Sequence, residues 1–284
     1  MERKRRKQEI SFQMSKVVFI DDFPDGVGGS ELVNNVLMCR YVDEVLKSDE
    51  VHTLKKEDFY ILGNLSLMHS DAVKSLSKLN YIILEHDYKI CKSRHPWRYD
   101  DNIVPKEERT NYELYEKAKA VFVQTTDHLD VYKKNDVKGN FVNLESSLWE
   151  VGDLNLLEKY STKSPRNWKY GVLDTDNWIK NTKGAKVFCE ANQLDYELIE
   201  SSHNREHFIN SLSNYSTLVF FPIARESCCR LVVEARCLSM NVVTSRNYGA
   251  VLEPWFTKSG DSLIKFLHEN TERNLEIIES YLPC

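Results

Sequence analysis

Leu218-Val219-Phe220-Phe221-Pro222 is followed closely by Arg225-Glu226-Ser227-Cys228-Cys229-Arg230-Leu231-Val232-Val233-Glu234-Ala235, and later by Val242-Val243. The first run is short, apolar and closed by a proline, which reads as a buried strand. Leu231, Val232 and Ala235 recur at helical spacing and can pack on a sheet. Val242-Val243 starts a second strand. Strand, loop, helix, strand is the unit of a parallel sheet. It puts Glu226 in the loop at a strand's carboxyl end, the edge where open α/β sheets bind ligands. Glu234 falls about two turns into the helix. Neither carboxylate suits the buried face, and both suit hydroxyl groups of a ligand whose phosphate sits at the helix N-terminus.

The same alternation extends outward in both directions. Lys16–Ile20 reads as a first strand, Asp21–Gly29 as a turn-rich loop with three glycines, and Glu31–Tyr41 as a helix. Further strands are predicted at Phe59–Leu62, Tyr81–Leu84, Ala120–Val123 and Phe141–Leu144, with helices at Ser70–Leu79 and Thr110–Ala120. A polar stretch, Glu158–Trp168, reads as a linker. The pattern restarts at Tyr170–Leu173 (strand), Lys183–Asn192 (helix), Tyr196–Ile199 (strand) and His207–Tyr215 (helix). Ser262–Leu282 is mostly helical. Two restarts predict α/β architecture with two Rossmann-like domains facing across a cleft. The expected division is a basic, disordered tail at 1–15, a first domain at 16–155 and a second at 156–284.

The 284 residues carry a net charge of −5, which argues against a whole-surface nucleic-acid binder and leaves a local basic groove open. Seven cysteines lack metal-ligand spacing, and Cys228-Cys229 are adjacent. Free thiols in a reducing, cytoplasmic setting are expected. No run is long and apolar enough to span a membrane. Arg3, Lys4, Arg5, Arg6 and Lys7 form a basic start without an apolar signal core.

The segment Pro222, Glu226, Glu234-Ala235, Ser239, Val242-Val243, Gly249 and Glu253 resembles the two-glutamate motif of retaining glycosyltransferases of the GT-B fold, family 4. Gly28-Gly29-Ser30-Glu31 resembles that family's glycine loop and first helix, Lys183-Gly184 its Lys-Gly pair, and His86 its histidine at a strand end. The likeness runs over most of the chain, but only the two-glutamate segment is specific. There are departures. Cys229 and Arg230 replace a small and an apolar residue, Ser239 and Asn241 replace the corner Gly and Pro, and an arginine expected before Lys183 gives way to Asp174 or its neighbours.

The resemblance implies sugar transfer from a nucleotide-sugar donor to an acceptor hydroxyl, with retention of configuration, without metal and without a separate cofactor. It places Glu226 on the sugar and Glu234 on the ribose hydroxyls. His86 stands beside Glu226 at the reaction centre, with no role as a base. The diphosphate is met by Lys183, by Arg225 or Arg230, and by backbone N–H groups near Ser227, Cys228 and Cys229. Gly28 and Gly29 let backbone approach the donor. Every one of these residues also has a plain structural use: a strand-to-helix turn, a surface lysine, packed cysteines.

Lys89, Lys92, Arg94, His95, Trp97 and Arg98 make a basic, aromatic-bearing loop after Asp87. It reads either as a solvated loop or as an anionic-acceptor site, with Arg94 and Arg98 gripping phosphate. The acceptor classes are a glycan, a lipid-linked sugar, or nucleic acid with hydroxymethylated bases. Two other functions compete. A nicotinamide-dependent oxidoreductase needs Gly-x-Gly-x-x-Gly after the first strand, and Gly26-Val27-Gly28-Gly29 does not fit. A non-catalytic sugar-nucleotide-binding protein of the same fold stays open.

Overall fold

A computed structural model describes residues 15–26, 28–163, 167–245 and 248–283. The expected N-terminal tail lies outside the described residues, except for Ser15. Six parallel strands form the first sheet: β1 (Val17–Asp21), β2 (Glu44–Lys47), β3 (Phe59–Leu62), β4 (Asn80–Leu84), β5 (Val121–Val123) and β6 (Phe141–Asn143), in the order β2-β1-β3-β4-β5-β6. Four parallel strands form the second: β7 (Asn167–Asp174), β8 (Tyr196–Glu200), β9 (Tyr215–Phe220) and β10 (Asn241–Thr244), in the order β10-β9-β7-β8. The helices are α1 (Gly29–Tyr41), α2 (Ser70–Leu76), α3 (Tyr112–Lys117), α4 (Thr126–Lys134), α5 (Val151–Ser161), α6 (Thr182–Ala191), α7 (Arg205–Leu212), α8 (Arg230–Cys237) and α9 (Asp261–Glu279).

The central strands are apolar on both faces because helices cover both sides. Every residue of β1 and β3 is buried, as parallel sheets require. Register follows this burial: Phe19 pairs with Ile61, and Ile61 with Ile82. In the second sheet Val219 of β9 sits between Val172 and Val243. β2, at the sheet's edge, alternates half-buried and exposed residues. Apolar side chains fill separate layers on either face of each sheet.

Two Rossmann-like units result, and their strand orders place the cleft. In the first sheet the order reverses between β1 and β3; in the second it reverses between β7 and β9. Crevices open at the carboxyl ends of strands at such switch points. The loops after β1, β3, β7 and β9 therefore converge on one region.

α9 ties the units together. Its 19 residues span about 28 Å at 1.5 Å per residue. Leu263, Ile264 and Leu267 pack in the core of the second unit, and Leu275 and Ile278 pack beneath the first sheet beside Val33 and Leu37. The bidentate Arg40–Glu272 contact holds α9 against α1.

Several elements differ from the sequence expectation, among them the edge strand β2, which was not predicted. The expected linker from Glu158 begins inside α5, where Leu154 and Leu157 at helical spacing pack in the second unit's core. The expected boundary at 155/156 thus falls within a helix. α4 was not predicted, although Thr125 caps it by accepting from the His128 N–H. Tyr215 opens β9 rather than ending α7, because its ring is buried against the sheet. No helix among the described residues is long and apolar enough to cross a membrane, and the six described cysteines are unpaired.

Candidate active site

The converging loops enclose a cavity of about 490 Å³ between the two units. From the first unit come Gly29 and Ser30 after β1, Asn64 after β3, His86 and Asp87 after β4, and Gln124 after β5. From the second come Asn177, Ile179 and Lys180 after β7, and Ala224–Ser227, Cys229 and Arg230 after β9. Two helices start here, α1 behind Gly28 and α8 behind Cys229, and neither N-terminus has a side-chain cap. Uncapped first-turn N–H groups and the helix dipole favour an anion. The units nearly touch, since a Cβ on Gly29 would lie 3.6 Å from Arg230 Cδ.

Glu226 meets Lys180 across this space, with Nζ 2.8 Å from Oε1. Lys180 ends a short turn after β7, and Asn181 then caps α6 by accepting from the Gly184 N–H. Burial works against the lysine's charge, but Glu226 more than offsets it, so its pKa stands above the ordinary value. Lys183, the expected phosphate contact, is exposed as the second residue of α6 and does not line the cavity. Helical geometry carries it past the loop. The signal for Lys180 was legible: an Asn-Thr-Lys-Gly cap places the residue before Asn181 in the strand-to-helix loop.

His86 is buried and fixed. Asn34 donates to Asp21 Oδ2 (3.1 Å), so its Oδ1 faces His86 Nε2 at 2.6 Å. Gln124 Nε2 lies 3.2 Å from Nδ1, while its Oε1 accepts from Ser147 Oγ at 3.0 Å. This chain places the ring proton on Nε2. Burial, with Lys89, His128 and Arg94 adding to it, drives the pKa well below the usual histidine value. Both nitrogens are occupied, so His86 is a neutral wall rather than a base. Its carbonyl oxygen accepts from Ser227 Oγ at 2.7 Å.

Ser227 is the joint between the units. Besides that bond, its own carbonyl accepts from Thr125 Oγ1 at 2.7 Å. Gly249 packs against both partners and leaves no space for a side chain. Arg225 forms a bidentate pair with Asp127 in the first turn of α4, with Nε–Oδ2 at 2.8 Å. Glu253 accepts from the Thr126 N–H (2.5 Å). Cys228 is buried outside the cavity lining and Cys229 borders it. Burial raises both thiols' pKa, so neither is poised as a nucleophile.

The structure does not bring Glu234 to the cavity. It is 2% exposed, and its Oε1 accepts from Arg205 Nη2 at 2.7 Å. Arg205 also reaches Asp153 (3.1 Å), and so does Arg230 (2.8 Å). Arg230 lies 3.8 Å over the Trp149 ring and donates to the Leu148 carbonyl (2.9 Å). A buried network of two arginines and two carboxylates therefore occupies the ground beneath α8. Arginine at 230 was visible in the sequence, but its partners Asp153 and Arg205 were too distant along the chain to read.

The basic loop is largely paired with itself. Lys89 is buried on Glu85 (2.5 Å). Arg94 lines the cavity but is held by Asp87, Asn64 and Ser66. Arg98 stands outside the lining, 5.7 Å over Trp97. Gly28 is also outside it, as the residue before α1. The sequence expectation did not include Asn64, Gln124, Ser147 or Asn177, which are single polar residues at strand ends.

No protein-family model matches the chain. No curated protein does either. Solved structures share its architecture. HepE of Anabaena, solved with UDP and glucose, superposes with a TM-score of 0.52 at 12% identity, over 91% of this chain and 89% of its own. The UDP-forming alpha,alpha-trehalose-phosphate synthase of Burkholderia xenovorans, solved with glucose-6-phosphate, gives 0.46 at 10% identity, over 80% and 71%. The pneumococcal O-GlcNAc transferase GtfA, solved with UDP and GlcNAc, gives 0.47 at 12%, over 78% and 51%. The likeness to HepE supports the fold: two facing Rossmann-like units.

Proposed function

We propose that this protein is a glycosyltransferase that moves a sugar from a nucleotide-sugar donor to an acceptor hydroxyl, with retention and without metal. The Lys180–Glu226 pair, set in the cleft between the uncapped starts of α1 and α8, carries this reading. A leaving diphosphate needs positive charge and N–H donors. Lys180 and the first turn of α8 supply both. Glu226, on the same loop, can accept two hydrogen bonds from vicinal sugar hydroxyls.

As the anomeric C–O bond breaks, negative charge grows on the departing phosphate oxygen, where Lys180 stabilises it most. The acceptor hydroxyl must lose a proton as the new bond forms. His86 cannot take it, because Asn34 and Gln124 occupy its nitrogens. The departing phosphate oxygen is the available acceptor. It lies on the face from which it leaves, so attack from that face preserves configuration. HepE, of the same fold, was solved with UDP and glucose, which makes uridine donors the first to test.

The test is a thermal-shift series with nucleoside diphosphates, followed by turnover of the matching sugar donors. Binding to the folded state must raise its stability. UDP should stabilise the wild type and the Glu226→Gln variant alike, while sugar transfer or donor hydrolysis is seen only with the wild type. Failure of every nucleoside diphosphate to bind overturns the proposal. Binding without turnover of any sugar favours a non-catalytic sugar-nucleotide-binding protein.

A further inference from the structure

A second cavity, of about 660 Å³, lies on the first unit between α2, α3 and the loop after β4. It is within the size range of small-molecule sites. Leu65, Met68, Val73 and Leu114 give it apolar surface. Five cations line it and only one carboxylate, that of Glu113, which pairs outward with Lys117 at 2.5 Å. Lys89 and Arg94 are matched by Glu85 and Asp87, and Lys74 by Asp71. The remaining two cations, Lys92 and Arg109, have no carboxylate partner among the described residues. Lys92 donates to the Glu107 carbonyl. Arg109 spends Nε on the Val104 carbonyl (3.0 Å) and stacks 5.3 Å from the Tyr112 ring centroid. Its two terminal nitrogens have no partner among the described residues.

We propose that this cavity binds a phosphomonoester carried on a small organic body, and that it holds the far end of the acceptor. The second clause rests on the transferase reading above. A dianionic phosphate suits two unmatched cations, one of them a planar guanidinium fixed at Nε with its fork free. The apolar surface suits the carbon body. Arg94 lines both cavities, so one molecule lying along it would present a hydroxyl to the cleft. Of the loop's cations only Lys92 is unmatched here; Arg109, from outside that loop, supplies the second charge, and Arg98 does not line this cavity.

The test measures binding to the full chain by calorimetry with ribose 5-phosphate, glycerol 3-phosphate and neutral ribose, and with phosphatidylcholine vesicles with and without phosphatidic acid. Phosphomonoesters should bind, ribose should not, and added salt should weaken binding. Lys92→Met/Arg109→Met should weaken it by about tenfold or more. Val73→Trp, which fills the cavity and leaves its charge intact, should do the same. UDP affinity should stay within about twofold in both variants, as no donor contact is touched. Preference for phosphatidic acid vesicles over the soluble esters assigns the phosphate to a lipid headgroup; the reverse assigns it to a free ester. Equal binding of ribose, unchanged ester affinity in both variants, or no binding of any ester or vesicle overturns the site. If UDP binds and no ester does, this inference fails alone. If the esters bind and the variants abolish it while no nucleotide binds, the site stands and the donor reading falls.

Discussion

Lys180 Nζ lies 2.8 Å from Glu226 Oε1, across the gap between the loops that follow β7 and β9. The pair joins the loops after the two strands at which the second sheet reverses its order, the edge where open α/β sheets form their crevice. Lys183, three residues later, is exposed on α6. Lys180→Met should weaken nucleoside diphosphate binding by about tenfold or more, the worth of one charge-assisted contact. The rate should fall further, by roughly a hundredfold, because charge on the diphosphate grows in the transition state. Lys183→Met should change neither by more than about twofold. Calorimetry and steady-state kinetics on both variants decide, and a loss in Lys183→Met with none in Lys180→Met would return the phosphate grip to Lys183.

Glu234 gives a second test, because its two readings predict opposite phenotypes. Arg205 and Arg230 share Glu234 and Asp153 in a buried network. Removing one carboxylate leaves excess positive charge under α8. Glu234→Gln should lower stability by roughly 3 kcal/mol, seen in urea unfolding, with nucleotide affinity little changed in the protein that stays folded. If Glu234 instead holds the donor's ribose, the variant keeps its urea midpoint and loses nucleotide affinity.

The strands that carry the site were legible because their apolar runs are continuous and their ends are marked, as at Pro222 and Gly63. Phe59–Leu62 and the β9 run each stand where the pattern put them. Glu226 followed from its strand, since a residue five or six positions past a parallel strand must lie at the ligand edge. Glu234 did not follow, because helical position alone cannot tell a cleft face from one that meets distant Arg205 and Asp153. Lys180 rather than Lys183 lines the cavity, and the local sign of this is the Asn181 cap, which places Lys180 in the loop and Lys183 on the helix. The His86 network needed Asn34, Gln124 and Ser147 from three other elements, and no local pattern joins them.

Chelation should leave activity intact. In the proposed mechanism the charge of Lys180 and the N–H groups at the start of α8 take the place a metal would have on the diphosphate. Rates in excess EDTA and in added Mn²⁺ should agree within about twofold. Activity abolished by EDTA and restored by Mn²⁺ would require a metal-bridged diphosphate instead.

Acid should destabilise the fold through two histidines. His86 and His128 are both buried neutral. His128 Nε2 lies 2.8 Å from the Asp87 carbonyl and donates to it, and its Nδ1 accepts from the Gln124 N–H at 3.3 Å. Neither nitrogen of either ring can take a proton without breaking a bond. Burial lowers the pKa of His128 to about 4, and that of His86 well below the usual value. Unfolded chains bind these protons near pH 6.5, and the folded protein does not. The stability the two rings confer is therefore complete above that pH and is lost as pH falls, by up to about 1.4 kcal/mol per unit for each ring. Asp21, Glu85 and Glu253, whose pKa values burial raises, act in the opposite sense at the acid end. The histidine contribution to the slope grows as pH falls below 6.5. Urea unfolding at pH 7 and at about pH 5.5 should show the loss, and His128→Gln should remove about half of it. The same pH dependence in the wild type and in His128→Gln would show that this ring opens to water and titrates in the folded state.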